Sequence, residues 1–161
     1  ALWDFAVATF GRVDFWINNA GRATSRYEVH ELPEEMVHTL VDGNFKGSVF
    51  GSQVAISGFR RQGSGALYNM LGGSFDGKRL TPNMGVYSAT KAADWLLTKY
   101  LVLENKNPDI IIGAISPGML ITENWFPLES DFSLLSFGFR FFGDRLAADL
   151  SARPVSRLCD S

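Results

Sequence analysis

The chain has 161 residues, a length that suits a single domain with a sizeable buried core. Hydrophobic residues make up 46% and charged residues 20%, which predicts a globular fold, and a formal charge of −2 without a basic block gives no reason to expect nucleic-acid binding. The single cysteine, Cys159, excludes an internal disulfide, and no spanning helix or signal peptide is predicted because no long apolar run occurs.

The first segment, from Ala1 to Gly11, has the pattern of the tail of an amphipathic helix that ends at a glycine. Because the chain starts without methionine and inside a helix, we expect an N-terminally incomplete domain that lacks any targeting peptide. Residues 13–17 are apolar and aromatic, and they predict a short buried strand. A turn of small and polar residues, Asn18-Asn19-Ala20-Gly21, follows the strand.

A long helix is predicted from Pro33 to about Arg61, because a proline followed by two glutamates suits a first helical turn. We expect a bend or break around Asp42-Gly43-Asn44. Asn44 is then either a helix-interior asparagine at a kink, where its side chain competes for backbone hydrogen bonds, or a functional residue. The pattern alone favours the kink.

A second strand is predicted at residues 66–70, and a glycine-rich loop at residues 71–82. Doubly wound sheets bind ligands in such a place, beyond the carboxyl ends of their strands. Ser74 in this loop is either an ordinary loop serine or a hydroxyl that polarises a substrate.

The segment Tyr87-Ser88-Ala89-Thr90-Lys91 indicates acid–base chemistry. A tyrosine and a lysine four residues apart on a helix share one face, so the ammonium can favour the ionised phenol. A free phenol has a pKa of about 10, too high for proton transfer near neutral pH, and a nearby cation shifts it in the useful direction. By itself the pattern is more often a solvated surface pair, so its context decides.

The helix that carries this pair is predicted to continue to about Asn105. Trp95 and Leu96 on it are candidates for the core or for a dimer interface, with the core as the default. Residues 110–115 form a continuous apolar run, which predicts a strand covered on both faces. Pro117-Gly118 come after that strand.

These motifs together resemble the signatures of the short-chain dehydrogenase/reductase family, in the family's order over roughly residues 5 to 125. The resemblance implies an α/β fold: the C-terminal part of a Rossmann-like, doubly wound parallel sheet, with helices on both faces and the first βαβ units missing. It also implies that residues 1–161 form one partial NAD(P)-binding domain.

The resemblance also implies roles for these residues. Ser74 and Tyr87 would hold a substrate carbonyl, and Tyr87 would supply a proton to it. Lys91 would lower the pKa of the phenol and bind the nicotinamide ribose, while Asn44 would support a proton relay. The other cofactor contacts would come from Asn18, Ala20, Gly21, Pro117, Gly118 and Thr122. No metal site is predicted.

The resemblance is incomplete towards the N-terminus. The family's Thr-Gly-x-x-x-Gly-x-Gly turn, which binds the pyrophosphate at a helix N-terminus, has no counterpart, and neither has the position that selects NAD or NADP. The chain is then either a fragment of a complete reductase or a truncated product that binds dinucleotide poorly and acts, if at all, by pairing with a full-length reductase. In the second case the strand at residues 13–17 would be an unpaired edge.

Within the family, the loop at residues 69–77, the Thr81-Pro82 step, and the segments 87–91 and 116–122 are similar to those of plant and algal chlorophyll b reductases. This similarity implies hydride transfer from NADPH, rather than NADH, to the 7-formyl group of chlorophyll b at the thylakoid membrane of the chloroplast. The alternative is a soluble cytoplasmic reductase of another apolar carbonyl compound. A homo- or hetero-oligomer is compatible with either.

The C-terminal region is unusually aromatic, with five phenylalanines in residues 131–142. Residues 126–142 correspond to the substrate lid of the resembled fold, so these rings either form an apolar binding surface or pack on the core. The tail at residues 143–161 has one helical patch, at 144–152, and carries no motif.

Overall fold

The computed structural model describes residues 2–23 and 27–117, together with the backbone of residues 140–142. Its first half contains α1 (Leu2–Phe10), β1 (Phe15–Asn18), a short 3-10 helix (Val29–Glu31), α2 (Glu34–Leu40), a π-helical turn (Val41–Lys46) and α3 (Gly47–Gln62). Its second half contains β2 (Gly65–Met70), α4 (Gly85–Glu104), β3 (Ile110–Ser116) and β4 (Arg140–Phe142). Within the described ranges, the predicted helices and strands lie within two residues of their predicted bounds.

The four strands form one sheet in the order β1-β2-β3-β4. β1, β2 and β3 are parallel, and β4 runs antiparallel to β3. The register aligns Trp16 with Leu67, and Leu67 with Ile112, so these three side chains share one face of the sheet. The predicted α/β class with a parallel sheet is confirmed, and β1 is one of the two outer strands of the described sheet.

The main core lies between that face of the sheet and helices α1, α3 and α4. Trp3 of α1 packs edge-on against Phe59 of α3, with 5.3 Å between the ring centroids, and lies 6.0 Å from the ring of Trp16. Burying a large apolar side chain of this kind contributes about 1.5–3 kcal/mol. The buried members of this cluster are Trp3, Ala55, Phe59, Leu67, Ile110 and Ile112.

The opposite face of the sheet is less covered than predicted. The expectation of a buried first strand is wrong, because Phe15 is 68% exposed and Ile17 is 50% exposed. The expectation that the strand at 110–115 is covered on both faces is wrong at Ile111, which is 39% exposed. Alternate side chains of a strand point to opposite faces, and α1, α3 and α4 pack on the face of Trp16.

Helix α4 has an apolar outer surface as well as its buried one. Trp95 is half-buried and meets the ring of Phe75 edge-on at 5.8 Å. Leu96 is exposed, so the default assignment of Leu96 to the core is wrong. Neither α4 nor any other helix in the described part of the chain is both long and apolar enough to cross a membrane.

The predicted break around residues 42–44 is the π-helical turn. The N–H of Gly47 donates to the carbonyl of Asp42, five residues back, instead of four. Such a turn widens the helix by one residue and re-aims its side chains. Asn44 is fully buried as a result and faces α4. The preceding helix begins at Glu34, and Pro33 takes the capping position rather than the first helical one.

Gly58 on α3 provides a test of the core packing. A Cβ at this position would overlap the ring of Trp3. We expect Gly58→Ala to lower the free energy of unfolding by about 1–3 kcal/mol, the usual cost of overpacking. Gly43→Ala is the matched control, because a Cβ there has no neighbour within 4 Å. Urea unfolding measures both variants, and equal stabilities would contradict the described contact.

Candidate active site

Tyr87 and Lys91 lie one turn apart on α4, beside the carboxyl end of β2. The Lys91 ammonium donates to the backbone carbonyl of Met70 at 2.9 Å and lies 3.2 Å from the carboxylate of Asp94. The phenol of Tyr87 lies against Gly72, where a Cβ would overlap the phenolic oxygen. The absence of a side chain at Gly72 therefore provides the space that the phenol occupies.

Asn44 connects the loop after β1 to α4. Its Oδ1 accepts from the N–H of Arg22 at 2.7 Å, and its Nδ2 donates to the Arg22 carbonyl at 2.9 Å and to Thr90 Oγ1 at 3.0 Å. A Cβ on Gly21 would lie 3.1 Å from Asn44 Oδ1 and 3.6 Å from Lys91 Nζ. The structure thus brings Gly21, Asn44 and Lys91 close together.

A row of polar side chains runs across the sheet at this end. Nδ2 of Asn18 donates to Oδ1 of Asn69 at 2.8 Å, and Nδ2 of Asn69 donates to Thr98 Oγ1 at 2.9 Å. Asn18 also donates to the carbonyl of Ser48 and to the hydroxyl of Ser52 on α3. These bonds hold the ends of β1 and β2 to α3 and α4, which gives Asn18 a structural role.

Ser74 lies in the same loop as Gly72, but its hydroxyl does not meet Tyr87. Its Oγ–H donates to the carbonyl of Arg79, and its backbone has a φ of 63°, in the left-handed region. No hydrogen bond within the described ranges joins Ser74 to Tyr87. Ser74 instead borders an open cleft of about 550 Å³ on the side of α4 that carries Ser88. The apolar residues that line this cleft include Val29, Leu80, Pro82, Ala89 and Ala92.

The remaining predicted cofactor residues fall into two groups. Ala20 is exposed in the loop after β1, and Pro117 is buried directly after β3. Both follow the carboxyl end of a parallel strand, which is where open α/β sheets bind ligands. Gly118 and Thr122 lie outside the described residues, as do most of the predicted lid at 126–142 and the tail at 143–161.

The electrostatic environment of Tyr87 differs from the predicted one. Burial raises the pKa of the Tyr87 phenol above its usual value, and the negative charge of Asp94 raises it further. The expectation that Lys91 lowers this pKa is wrong, because the Lys91 charge is matched by the carboxylate of Asp94 at 3.2 Å. Burial also raises the pKa of Asp94, against the opposing effect of Lys91.

Sequence reasoning misses two residues of this site, Asp94 and Gly72. Asp94 follows Lys91 by three residues and Tyr87 by seven, spacings that put the three on one helical face. This spacing is the signal that could have found Asp94. Gly72 has no such signal, because only the folded loop brings it against Tyr87.

The fold and the site define a class of protein: a parallel α/β domain with a tyrosine–lysine pair at the carboxyl edge of its sheet. The profile of the short chain dehydrogenase family matches residues 1–131, and the chain belongs to this family. The family predicted from the motifs is therefore confirmed.

The curated relatives come from bacteria and plants. An uncharacterized oxidoreductase of Staphylococcus aureus (strain N315) is 34% identical over 121 residues, which cover 75% of this chain and 51% of the relative. A probable chloroplastic chlorophyll(ide) b reductase of Arabidopsis thaliana is 32% identical over 122 residues, which cover 76% of this chain and 25% of the relative. The chain thus spans about half the length of the bacterial relative and a quarter of the plant one.

Solved structures confirm the Rossmann-like fold. ElxO with NADP bound has a TM-score of 0.70 at 28% identity, with 76% of this chain and 49% of that chain covered. A gluconate 5-dehydrogenase from Burkholderia cenocepacia J2315, in complex with NADP and tartrate, has a TM-score of 0.67 at 26% identity. This match covers 74% of this chain and 46% of the dehydrogenase. The names of the relatives and of this dehydrogenase confirm an oxidoreductase family that binds a nicotinamide cofactor.

The raised pKa of Tyr87 predicts a loss of stability in alkaline solution. Above a pH of about 10 the phenol of the unfolded chain releases its proton while the folded one retains it, so rising pH favours unfolding. We expect the free energy of unfolding to fall from there up to the folded pKa, and to fall less steeply in Tyr87→Phe. Part of the slope should remain, because burial also raises the pKa of Tyr68. Urea unfolding over a pH series measures the slopes, and identical slopes would count against a raised pKa at Tyr87.

Proposed function

We propose that this chain carries the acid–base part of the active site of an NADP(H)-dependent carbonyl reductase. In this proposal Tyr87 is the acid and Lys91 is the cation that binds the cofactor. The observation that supports it most is the phenol of Tyr87 against Gly72, one helical turn from an ammonium fixed to the end of β2. General acid catalysis requires a donor held in one position, and these contacts hold both groups.

In this proposal the chain's own part in the reaction is to deliver a proton. The reduced nicotinamide, when bound, supplies a hydride to the carbonyl carbon. Tyr87 donates a hydrogen bond to the carbonyl oxygen and transfers its phenolic proton as negative charge develops there. The resulting phenolate regains a proton from solvent, and Asn44 supports this return by analogy with the family.

The residues of the site fit a nicotinamide ribose. An ammonium has three N–H donors, and Lys91 directs two of them to Met70 and Asp94. The third has no acceptor among the described residues, and we propose that it binds a ribose hydroxyl. The NADP-bound structural relatives favour NADP(H) over NAD(H). The further proposed cofactor contacts are Asn18, Ala20, Gly21, Pro117, Gly118 and Thr122.

Ser74 is proposed as a second hydrogen-bond donor to the substrate carbonyl. Its hydroxyl donates to the Arg79 carbonyl within the loop, and a substrate carbonyl would replace Arg79 as its acceptor. Ser74 is half-buried in the loop that also carries Gly72, and its hydroxyl would have to turn from Arg79 towards Tyr87 to meet the same carbonyl.

Chlorophyll b, through its 7-formyl group, is the proposed substrate. Its support is the 32% identity with the Arabidopsis thaliana protein named as a probable chlorophyll(ide) b reductase. Residues 126–142, with five phenylalanines between 131 and 142, are the proposed lid over this apolar substrate. Conversion of a formyl to a hydroxymethyl group takes one hydride and one proton, which the cofactor and Tyr87 would provide.

A substrate of this kind also indicates where the protein acts. We propose the chloroplast, with peripheral contact at the thylakoid membrane, on the strength of the same plant relative. The exposed apolar side chains Leu96, Tyr100 and Leu103 on α4 support a homo- or hetero-oligomer.

The purified chain allows cofactor binding and turnover to be measured separately. We expect NADPH fluorescence to saturate at micromolar cofactor, and chlorophyll b to be converted to its 7-hydroxymethyl form. Tyr87→Phe should reduce turnover by about 100-fold or more, because general acid catalysis usually contributes at least this factor to the rate. The affinity for NADPH should be largely unchanged. Retained turnover in this variant would remove Tyr87 from the mechanism.

A second candidate function is that of a non-catalytic partner of a longer reductase. Two observations favour it. The match covers about half of the length of the bacterial relative, and β1 is at one edge of the described sheet, where another strand can pair. A folded chain that binds no NADPH up to millimolar cofactor would support this function and exclude the catalytic one.

Adjacent glycines offer a matched test of the phenol position. A Cβ on Gly72 would overlap the Tyr87 hydroxyl, whereas a Cβ on Gly73 has no neighbour within 4 Å. We expect Gly72→Ala to lower NADPH-dependent turnover by about 100-fold, because a displacement of about 1 Å is enough for such a loss. Gly73→Ala should retain turnover. Equal activities of the two variants would show that the phenol position does not limit the reaction.

A further inference from the structure

A fully buried carboxylate, that of Asp94, lies next to the candidate site. It is 3.2 Å from Lys91 Nζ, and the side chain of Lys91 is itself only 5% exposed. Tyr87, Lys91 and Asp94 follow one another along a single face of α4. The cation of the proposed mechanism is therefore paired with a carboxylate on its own helix.

This pairing does not satisfy the carboxylate completely. Oδ2 of Asp94 accepts from Lys91, whereas Oδ1 is buried with no hydrogen-bond partner among the residues that the structure describes. The Ser48 hydroxyl is near enough to lower the pKa of Asp94, but it donates to the carbonyl of Asn44. An incompletely bonded buried charge costs free energy. Replacement of such buried ion pairs by apolar residues is often neutral or stabilising, so stability is a weak reason for this pair. Its position beside Lys91 favours a role in the chemistry of the site.

The ion pair also changes the electrostatic potential at Tyr87. An unpaired ammonium one turn away would stabilise the phenolate. A carboxylate 3.2 Å from that ammonium offsets much of its potential, because at larger distances two opposite charges act as a dipole. Burial and the Asp94 charge remain, and both raise the pKa of the phenol.

The groups that face this pair from neighbouring elements are uncharged. Asn44 of the π-helical turn bonds Thr90, Asn69 of β2 bonds Thr98, and the Met70 carbonyl bonds Lys91. Ser48 of α3 is buried beside them, and β3 contributes Ala114 on this face. The titratable side chains of the loop after β1, of α2, of the π-helical turn and of the loop after β2 are exposed: Arg22, Glu34, Glu35, His38, Asp42, Lys46, Asp76, Lys78 and Arg79.

We propose that Asp94 is a positioning residue that restrains the Lys91 ammonium and keeps the Tyr87 phenol in its protonated, proton-donating form up to high pH. The inference rests on the proposed function of Tyr87 as the acid in carbonyl reduction. Reduction requires the phenol, and the reverse oxidation requires the phenolate as a base. Asp94 thereby extends the pH range of reduction upward and raises the pH at which oxidation begins.

The ionisation of Tyr87 can be followed directly by NMR in chain labelled with ¹³C at the tyrosine ring carbon that bears the hydroxyl. The resonance that is missing in Tyr87→Phe identifies Tyr87. In Asp94→Asn, which keeps the size of the side chain and removes its charge, we expect the titration midpoint of Tyr87 to move to lower pH. A midpoint that stays or rises in this variant would overturn the proposal.

Asp42→Asn is the matched control. It removes the same charge from an ion pair with a lysine on the adjacent π-helical turn, where Asp42 and Lys46 lie 2.6 Å apart and exposed. The Tyr87 midpoint should keep its parent value in this control. A shift as large as that of Asp94→Asn would mean that any nearby charge has this effect, and the specific role of Asp94 would be lost.

Turnover separates this proposal from the proposed function. In Asp94→Asn the alkaline limb of the pH profile for NADPH-dependent reduction should move to lower pH, a change that a merely structural role would not produce. If neither chain reduces a carbonyl but the Tyr87 midpoint still moves, the proposed function fails and the effect of Asp94 on the phenol stands. If Asp94→Asn does not fold, Asp94→Ser, which also removes the charge, takes its place. A Tyr87 midpoint that does not fall in that variant overturns the proposal, and one that falls supports it.

Discussion

The buried ammonium of Lys91 is the interaction on which the described site depends. Its bond to the Met70 carbonyl fixes α4 to the carboxyl end of β2, and its pairing with Asp94 makes a buried cation tolerable. Tyr87, one turn earlier, is thereby placed against Gly72. A flexible surface lysine could not define the position of a phenol in this way.

A layer of asparagine and threonine side chains surrounds this centre. Asn18, Asn69 and Thr98 connect β1 and β2 to α4, and Asn44 and Thr90 connect the loop after β1 to the same helix. Buried amides must find partners, and each such bond adds only about 0.5–1.5 kcal/mol. Their larger effect is on geometry, because a different strand register or helix position would leave several buried polar groups unpaired.

The match to the bacterial relative covers 51% of that protein, and the described residues of this chain form one side of the candidate site. This side holds a phenol and an ammonium, while the glycine-rich phosphate-binding turn of the family has no counterpart in the sequence. The sheet is also covered unequally. Three helices pack on one of its faces, whereas the other face exposes Phe15 and Ile17. Acid–base chemistry and cofactor affinity therefore need separate measurement in this chain.

The sequence by itself determined the long helices, the three parallel strands, the break at residues 42–44, the Tyr87–Lys91 pair and, through the resemblance of its motifs, the family. The helices, the strands and the pair follow from local rules, since helical spacing and turn residues act over a few positions. The 3-10 helix at residues 29–31 and β4 have no such signal in the sequence. The cofactor roles of Gly118 and Thr122 stay predictions. Only the tertiary structure decided that Lys91 is neutralised by Asp94, that Ser74 donates to Arg79, and that Phe15 is exposed. Burial and the balance of charges depend on which distant segments meet, and an irregular loop has no period from which the direction of a hydroxyl could be predicted.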